Sequence, residues 1–393
     1  VINYLNLYRP AYYQSMVSAD LRECGFRGRL PALVYVDHHL SHAYQAYYQS
    51  GFGDALVLVA DGHGEDNCVS GYAVRGGEFS RILHYPVPYS LGWFYGGFTA
   101  YLGFYANRDE GKLMGLAAYG EAGKADNPWL RRLDRVLKVK SGGFDLDPRF
   151  FKMGGNYHHS RYTDALVKFI TDYDPDLRPI GIGEKAILDG QEASRYLLPR
   201  YIDLAYAVQT RLEEALLALV ENMRNQTGLN RICLAGGVFM NCKANHAIAQ
   251  MPGMEEVFIH PAASDDGSAI GAAYWVSRQL GADTGDPLRH VQYGAAFSNE
   301  AVRKALDICG VEYHALDDTA ATAAKLLSRG KVIGWFQGGA EMGARALGGR
   351  SIIACPDRAD IKQMINSNVK FRETWRPYCP SLPTENQKDY LRD

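Results

Sequence analysis

Six consecutive apolar residues, Ala55–Ala60, constrain the fold of this chain more than any other segment. A short apolar run that ends at Asp61-Gly62 is typical of a strand buried within a sheet and followed by a tight loop. Strand-like segments follow at Val69–Val74 and Ile82–Tyr85. The sequence therefore predicts a hairpin or meander that starts from a buried strand.

Helical and strand-like segments alternate farther along the chain. Ile202–Met223 carries apolar residues at the 3.6-residue spacing of an amphipathic helix, with charged residues between them. Similar patterns predict strands at Leu33–Val36, Arg231–Leu234 and Val257–Ile259, and a helix at Ile270–Leu280. This alternation predicts an α/β fold.

Length and a change of pattern predict two domains. The chain has 393 residues, whereas one domain usually takes roughly 100–200 residues. Around 287–298 the pattern changes, and a new unit begins with helices at Asn299–Ile308 and Thr319–Ser328 and a strand at Val332–Phe336. We place the boundary near residue 290, which divides the chain into domains 1–290 and 291–393.

Composition argues against several classes of protein. Lys and Arg number 42 against 44 Asp and Glu, a net charge of −2, which is unlike a general nucleic-acid-binding surface. No apolar run approaches the roughly 18 residues of a membrane span. The seven cysteines are scattered and never spaced as CxxC, so reduced thiols are expected. We therefore expect a soluble, cytoplasmic protein without a nucleic-acid or membrane partner.

Three histidines in the segment Asp37–Ala43 predict either a metal site or an ordinary surface cluster. His38 and His42 are four residues apart, so in a helix their imidazoles lie on one face and can share a metal ion. Farther on, Asp265 and Asp266 precede a helix of small residues. They cap that helix, or one of them supplies an oxygen ligand to the histidines.

Two glycine-containing turns and a group of cations are candidates for nucleotide or anion binding. Asp61–Asp66 is either an acidic turn that receives phosphate or metal, or an ordinary hairpin turn. Gly236-Gly237 and Asn241 follow a strand, and a ligand can approach the backbone closely at such glycines. The alternative is a tight strand–helix turn without a ligand. The spacing is not GxGxxG, so a dinucleotide-binding Rossmann site is not supported. Two arginines flanked by glycines are followed by a basic segment, and this pattern favours a binding site for a small anion over a solvent-exposed basic surface. The residues are Arg345, Arg350, Lys370, Arg372 and Arg376.

Together these segments resemble the O-carbamoyltransferase family, which includes nodulation protein U and the cephamycin and aminoglycoside carbamoyltransferases. The resemblance extends over nearly the whole chain. It is carried by HHLSHAYQAYYQSGF at 38–52, VADGHGE at 59–65, YSLGWFYGGFTAYLGF at 89–104, EGKLMGLAAYG at 110–120, LAGGVFMN at 234–241, PAASDDGSAIGAA at 261–273 and EMGARALGGRSIIACPD at 341–357.

The resemblance implies an actin-like ATPase domain at 1–290, similar to the transferase that makes threonylcarbamoyladenosine on tRNA. It implies a partial YrdC-like α/β domain at 291–393. The family's opening strands, with their glycine-rich phosphate loop, and most of its YrdC-like domain are absent from this sequence. We therefore expect this chain to lack family elements at both ends.

The resemblance also implies an activity. Carbamoyl phosphate and ATP, bound with Mg²⁺, would give carbamoyladenylate and pyrophosphate in the YrdC-like domain. A hydroxyl of a small molecule would then take the carbamoyl group in the first domain and release AMP. The expected metal is iron(II) or another divalent ion, held by His38, His42 and Asp265. The expected contacts to nucleotide and carbamoyl phosphate are Asp61, Gly62, Lys112, Gly236, Gly237, Asn241, Arg345, Arg350, Lys370, Arg372 and Arg376.

Several points stay open at the level of sequence. The acceptor hydroxyl needs a base, for which His39 and Asp61 are candidates by residue type and proximity. Two other functions are an actin-like small-molecule kinase or ATPase, and a tRNA-modification component of the threonylcarbamoyl type. The acceptor is an aminoglycoside, a macrocycle or a sugar, and loops such as Gly142–Tyr162 are expected to set its pocket. The oligomeric state is open, with a homodimer as one option.

Overall fold

The computed structural model describes residues 10–30, 32–120, 126–154, 157–181, 198–282 and 285–391. In these ranges the strands are β1 Ala55–Ala60, β2 Asn67–Arg75, β3 Glu78–Pro86, β4 Leu137–Lys140, β5 Gly143–Leu146, β6 Arg231–Ala235, β7 Glu256–Ile259, β8 Ile333–Phe336 and β9 Arg350–Ile353.

The same ranges contain helices of very different length. They are α1 Pro10–Glu23, α2 His38–Ser50, α3 Leu91–Tyr101, α4 Glu110–Ala117, α5 Trp129–Arg132, α6 Asp164–Thr171, α7 Pro199–Thr227, α8 Cys242–Ala249, α9 Ser268–Gln279, α10 Asn299–Ile308, α11 Thr319–Ser328, α12 Ile361–Asn368 and α13 Gln387–Tyr390. Each of these helices is too short or too polar to traverse a lipid bilayer.

Five strands form a mixed sheet in the order β3-β2-β1-β6-β7. β1 lies at its centre, antiparallel to β2 and parallel to β6, and β7 continues the parallel part. All six residues of β1 are fully buried, as expected for a strand covered on both faces. The predicted α/β class, the buried strand and the meander that follows it are confirmed.

Two layers of helices cover this sheet, and β1 contributes alternate side chains to each. Leu56 and Leu58 join a large core with residues of α3, α4 and α7. Val57 and Val59 join a smaller core on the other face, where α2 packs. Because β1 and β6 run parallel, their carboxyl ends meet at one edge of the sheet. Ligands of open α/β sheets usually bind at this edge.

The strand predicted at Leu33–Val36 is absent, which corrects the sequence analysis. Residues 32–37 have no regular secondary structure, and α2 begins directly at His38. Val34 is 54% exposed, and the sheet already ends at β3 and β7. The short apolar run therefore has the composition of a strand, but it pairs with no strand of the sheet.

The residues after about 290 contain two exposed helices, a two-stranded ladder and one side chain that reaches the large core. The predicted helices at Asn299–Ile308 and Thr319–Ser328 are confirmed, but neither contains a buried residue. β8 and β9 form a two-stranded antiparallel ladder. Trp375, in contrast, is 2% exposed and belongs to the large core, where its ring lies 6.3 Å from that of Phe104. The chain thus returns to the first core near its end.

Candidate metal and nucleotide site

His38 and His42 lie on one face of α2 because they are four residues apart, and acidic side chains fix the start of this helix. Asp37 caps the helix by accepting a hydrogen bond from the Leu40 N–H at 2.8 Å. Both Glu65 carboxylate oxygens accept from the His38 N–H, at 3.1 and 3.2 Å. The imidazoles of His38 and His42 lie one turn apart, with ring centroids separated by 4.7 Å.

Two aspartates approach these imidazoles from different parts of the chain. Asp61 follows the last residue of β1, and Asp265 lies in the 3₁₀ turn Asp265–Gly267 that precedes α9. His38 Nε2 lies 3.2 Å from Asp61 Oδ2 and 3.3 Å from Asp265 Oδ1. His42 Nε2 lies 3.2 and 3.5 Å from the same two oxygens. The four side chains therefore converge on one point.

The charges of this cluster are strongly coupled. Burial alone would lower the pKa of His38, but hydrogen bonds and charge from Asp265 and Asp61 raise it to about 10. Burial likewise opposes ionisation of Asp61, yet its contacts with His38 and His42 hold its pKa well below the usual range. Both shifts have the same physical cause, the close approach of imidazole nitrogens and carboxylate oxygens within this cluster.

The arrangement fits a divalent metal ion. The four ligand atoms lie within 4.8 Å of one another. Two ligands bound at about 2.1 Å to one ion lie about 3.0–3.4 Å apart in octahedral or tetrahedral geometry. The four imidazole–carboxylate separations, 3.2 to 3.5 Å, are close to this range. His42 Nε2 is buried and, although it lies 3.2 Å from Asp61 Oδ2, it makes no well-aligned hydrogen bond with the described residues, as expected of a metal ligand. The predicted ligands His38, His42 and Asp265 are brought together, and Asp61 joins them.

His39, one of the two candidate bases, lies apart from this cluster. It is fully buried, and its Nδ1 lies 2.9 Å from Ser70 Oγ. Burial lowers the pKa of His39 to about 4, so the ring is neutral at ordinary pH. The structure packs it beneath the Gly64 turn, where a Cβ on Gly64 would lie 2.9 Å from its ring.

A cavity of about 540 Å³ opens beside the metal ligands. Six of the predicted site residues line it: Asp61, Gly62, Gly237, Asn241, Asp265 and Arg345. The Asn241 amide is engaged within the protein, since it exchanges two hydrogen bonds with Gln209, at 2.9 and 3.0 Å. It also accepts from the Ala244 N–H at 3.0 Å and so caps α8.

The Gly236-Gly237 turn brings backbone close to Asp61. Gly236 has φ +96°, and a Cβ there would collide with the Ala60 carbonyl. Its N–H donates to the Ala263 carbonyl at 2.7 Å, which ties the loops after β6 and β7 together. A Cβ on Gly237 would lie 3.0 Å from Asp61 Oδ1. Only glycine allows this approach without moving its neighbours.

The predicted cations divide into one that lines the cavity and several with other contacts. Arg345 lines the cavity. Lys112 pairs with Asp109 at 3.1 Å and Glu373 at 2.9 Å. Lys370 is exposed. Arg350 donates hydrogen bonds to the carbonyls of Gln337, Gly338 and Gly349. Arg372 donates to the Asn366 side chain and the Pro377 carbonyl. Arg376 pairs with Glu373.

Sequence reasoning overlooked several polar residues of the cavity. Trp93, Glu110, His158 and Arg161 all line it. Trp93 and Glu110 belong to motif segments that carry the family resemblance, but their types alone did not distinguish them from core residues. His158 and Arg161 belong to Gly142–Tyr162, the loop expected to set the acceptor pocket.

Comparison with known proteins identifies the family of this chain. Residues 4–274 match the family model described as carbamoyltransferase N-terminus, and residues 324–393 match carbamoyltransferase C-terminus. Nodulation protein NolNO of Sinorhizobium fredii is 34% identical over 365 residues, covering 91% of this chain and 48% of that protein. The 3'-hydroxymethylcephem-O-carbamoyltransferase of Streptomyces clavuligerus is 29% identical over 279 residues, covering 71% of this chain and 45% of that protein.

A solved structure, full-length HypF in the phosphate- and nucleotide-bound form, aligns with a TM-score of 0.32 and 16% identity, covering 64% of this chain and 44% of that chain. The chain spans about half the length of the sequence relatives named above. Two family models match it, and together they cover most of its residues. The chain therefore belongs to the carbamoyltransferase family.

Proposed function

We propose that this chain carries the site at which a carbamoyl group passes from carbamoyl phosphate, through carbamoyladenylate, to a hydroxyl of a small-molecule acceptor. The observation that carries the proposal is the convergence of His38, His42, Asp61 and Asp265 beside a cavity large enough for a small molecule. A relative named as an O-carbamoyltransferase of a hydroxymethyl compound supports the class of acceptor.

The proposed architecture is an actin-like ATPase domain at 1–290 followed by a partial YrdC-like domain at 291–393. The strand order supports the first assignment, since a three-stranded antiparallel meander is continued by two parallel strands. The lack of buried residues in α10 and α11, within the described chain, supports a boundary near residue 290.

In the first proposed step, water splits carbamoyl phosphate into carbamate and inorganic phosphate. A carbamate oxygen then bonds to the α-phosphorus of ATP, and the bond from that phosphorus to pyrophosphate breaks. Arg345 would contact phosphate oxygens, because its guanidinium lies at the cavity and such groups bind phosphate through paired hydrogen bonds. The Gly236-Gly237 turn would let the nucleotide approach the backbone. We infer that Mg²⁺ accompanies ATP.

In the second step, the acceptor oxygen bonds to the carbamoyl carbon and the bond to AMP breaks. A divalent ion such as iron(II), held by His38, His42, Asp61 and Asp265, would supply Lewis-acid polarisation of a carbamoyl or phosphate oxygen. The residues themselves place the carboxylates of Asp61 and Asp265 at one wall of the cavity, in contact with the imidazoles of His38 and His42. The low pKa of Asp61 makes this carboxylate a weak base, so its proposed role is that of a ligand.

The proton of the acceptor hydroxyl would go to His63, which lines the cavity. Its Nδ1 lies 2.7 Å from the Gly64 carbonyl, which can only accept a hydrogen bond. A hydrogen bond to this carbonyl needs a hydrogen on Nδ1, which leaves Nε2 as the proton acceptor of the ring. His39 is the alternative base, but it is buried against Ser70 and is not among the residues that line the cavity.

Separate assays of the two half-reactions test this proposal. Arg345→Ala should lower pyrophosphate release from ATP and carbamoyl phosphate, because a phosphate contact is lost. His42→Ala should still release pyrophosphate but fail to carbamoylate an acceptor. Arg358→Ala is the matched control, since Arg358 is exposed and pairs with Asp360. If each of the two site variants folds but loses both half-reactions equally, the assignment of Arg345 to the first step and His42 to the second is wrong.

A further inference from the structure

A stripe of four polar side chains runs along one face of α2, and the proposed reaction uses only the first two. Neighbours in the stripe are three or four residues apart, so they lie on the same side of the helix. They are His38, His42, Gln45 and Gln49. Gln45 is fully buried. Because burial of an amide costs free energy unless the amide is hydrogen-bonded, the contacts of Gln45 indicate why a polar residue is present here.

The segment 260–267, here called the Asp265 loop, is bound to the second half of this stripe. Gln45 Nε2 donates hydrogen bonds to the Ala262 carbonyl at 2.7 Å and to His260 Nδ1 at 2.6 Å. His260 is 1% exposed, and its Nε2 contacts Gln49 Oε1. The two glutamines therefore fix the start of the loop against α2.

The Gln45 amide also fills the interior of the Asp265 loop. A Cβ on Gly267 would overlap with the Gln45 amide nitrogen and with the Ala262 carbonyl, so the loop closes around this amide and needs glycine at its far end. Gln45 Oε1 is buried without a hydrogen-bond partner among the described residues. The contribution of this side chain therefore lies in the two hydrogen bonds that it donates.

Two further contacts hold the middle of the Asp265 loop from other parts of the fold. The Ala263 carbonyl accepts a hydrogen bond from the Gly236 N–H at 2.7 Å. Gly343 has φ +93°, and a Cβ there would overlap with the Pro261 carbonyl. Residues 260–263 are thus fixed one after another. The loop is a well-supported segment, and its attachment to α2 depends on the glutamines.

Asp265 depends on this support because its own side chain is largely exposed. The side chain of Asp265 is 72% exposed, against 14% for that of Asp61. Within the described residues, the printed hydrogen bonds and ion pairs join its carboxylate to His38 and His42 alone, whereas Asp61 also accepts from the Gly62 N–H at 2.7 Å. The backbone of the loop therefore determines where the Asp265 carboxylate lies.

We propose that Gln45 is a positioning residue for the metal site, which binds the Asp265 loop to α2 and so brings the Asp265 carboxylate to the histidines of that helix. Since Gln45 and both histidines belong to one helix, a displacement of the loop from Gln45 lengthens the distances between Asp265 and the imidazoles. Groups that orient the ligands of a metal strongly affect its affinity. The inference rests on the proposed function, since it takes the cluster as a metal site.

Titration of the full chain with cobalt(II), without ATP or carbamoyl phosphate, tests this inference apart from the reaction. Cobalt(II) is the probe because its visible absorption depends on the number and geometry of its ligands. Gln45→Met keeps the length of the side chain and removes both donated hydrogen bonds. We expect an affinity lower by about tenfold to a hundredfold, with an absorption spectrum shifted toward that of Asp265→Ala. Gln226→Met, at an exposed position on α7, should bind like wild type.

A double-mutant cycle shows whether Gln45 acts through Asp265. Gln45→Met should lower the cobalt(II) affinity of wild type but hardly that of Asp265→Ala, because the carboxylate that Gln45 positions is already absent there. Gly267→Ala is the second variant if Gln45→Met does not fold. Its methyl group displaces the Gln45 amide without removing a ligand, so the affinity should fall by a similar factor. Gly53→Ala, where a Cβ meets nothing within 4 Å, should not change it.

Two results would overturn the inference alone. One is an unchanged cobalt(II) affinity in folded Gln45→Met or Gly267→Ala. The other is an equal loss with and without the Asp265 carboxylate, which would show that Gln45 does not act through this ligand. Failure of wild type to bind cobalt(II) would instead reject the metal site itself, and with it the proposed function. The two failures are therefore distinguishable.

Discussion

Gly271 lies directly against the Ser41 carbonyl, so that a Cβ on Gly271 would overlap with it. The contact joins α9 to α2 within the layer that carries the metal ligands. Because Asp265 precedes α9 and His38 and His42 are on α2, the distance between these helices decides how closely the carboxylate approaches the imidazoles.

Gly271→Ala should therefore weaken metal binding without removing any ligand. The added methyl group has to push α9 away from α2, which moves Asp265 away from His38 and His42. We expect an affinity for iron(II), measured anaerobically by titration, that is lower by about tenfold to a hundredfold, the usual cost of disturbing the support of a ligand. Gly53→Ala is the control, since a Cβ there meets nothing within 4 Å. Equal affinity of both variants would contradict this reading.

His42→Ala should remove metal binding more completely than any change outside the cluster. The imidazole is fully buried, and its Nε2 lies 3.2 Å from Asp61 Oδ2 and 3.5 Å from Asp265 Oδ1. We expect an affinity at least about a hundredfold lower, with the secondary structure seen by circular dichroism retained. His84→Ala, at an exposed position on β3, should bind like wild type. If the His42 variant holds one ion as tightly as wild type does, the four residues are not a metal site.

Gly237→Val should weaken ATP binding. Gly237 lines the cavity, and even a Cβ there would lie 3.0 Å from Asp61 Oδ1 and 3.5 Å from Ser264 Oγ. Branched carbons beyond this Cβ would extend into the space that a nucleotide is expected to occupy. Calorimetric titration with ATP should show at least about a tenfold loss, while Gly53→Val should not change the affinity. An unchanged affinity would reduce the turn to a purely structural role.

His260 should make the protein sensitive to mild acid. Its Nδ1 accepts hydrogen bonds from Gln45 Nε2 at 2.6 Å and the Ala262 N–H at 3.0 Å. Burial lowers its pKa from 6.5 to about 4. Between pH 6.5 and 4 the unfolded chain binds a proton that the folded chain does not. The free energy of unfolding should therefore decrease as the pH is lowered through this window, by up to about 1.4 kcal/mol per pH unit for this group.

Urea unfolding at a series of pH values measures this effect. His260→Gln should show a smaller loss of stability than wild type between pH 6.5 and 4, because the titrating group is gone. Below about pH 4 His260 is protonated in both the folded and the unfolded state. The free energies of unfolding of the two proteins should therefore change with pH in parallel there. His84→Gln should behave as wild type. Parallel curves for wild type and His260→Gln across the whole window would refute the assignment.

Local patterns were enough to predict much of the fold. The buried run Ala55–Ala60 and the helical spacing of Ile202–Met223 appear where expected, because burial of a central strand or of one helix face leaves a periodic trace in sequence. Leu33–Val36 has the same apolar character, but whether a strand forms depends on a free sheet edge. The availability of a free sheet edge depends on the tertiary structure, and it cannot be predicted from the composition of the segment.

The site could be predicted only where spacing or family motifs carried it. The i, i+4 spacing placed His38 and His42 on one face, and the motif at 261–273 assigned Asp265. The approach of Asp61, from a strand end distant in sequence, was one of several alternatives. Arg161 and Glu110 were not foreseen, since an arginine and a glutamate are surface residues in most sequences. Only tertiary contacts show that both line a cavity and that Arg161 is buried there.

The most direct test of the account follows the carbamoyl carbon itself. The chain is incubated with ATP, Mg²⁺, iron(II), a panel of methyl hexopyranosides and carbamoyl phosphate labelled with ¹³C at the carbonyl, and the products are analysed by NMR and nucleotide chromatography. The account predicts a ¹³C-labelled carbamate ester on a sugar hydroxyl, formed together with AMP and pyrophosphate in equal amounts. Formation of ADP with a phosphorylated sugar, and no label on any hydroxyl, would contradict it and identify a kinase instead.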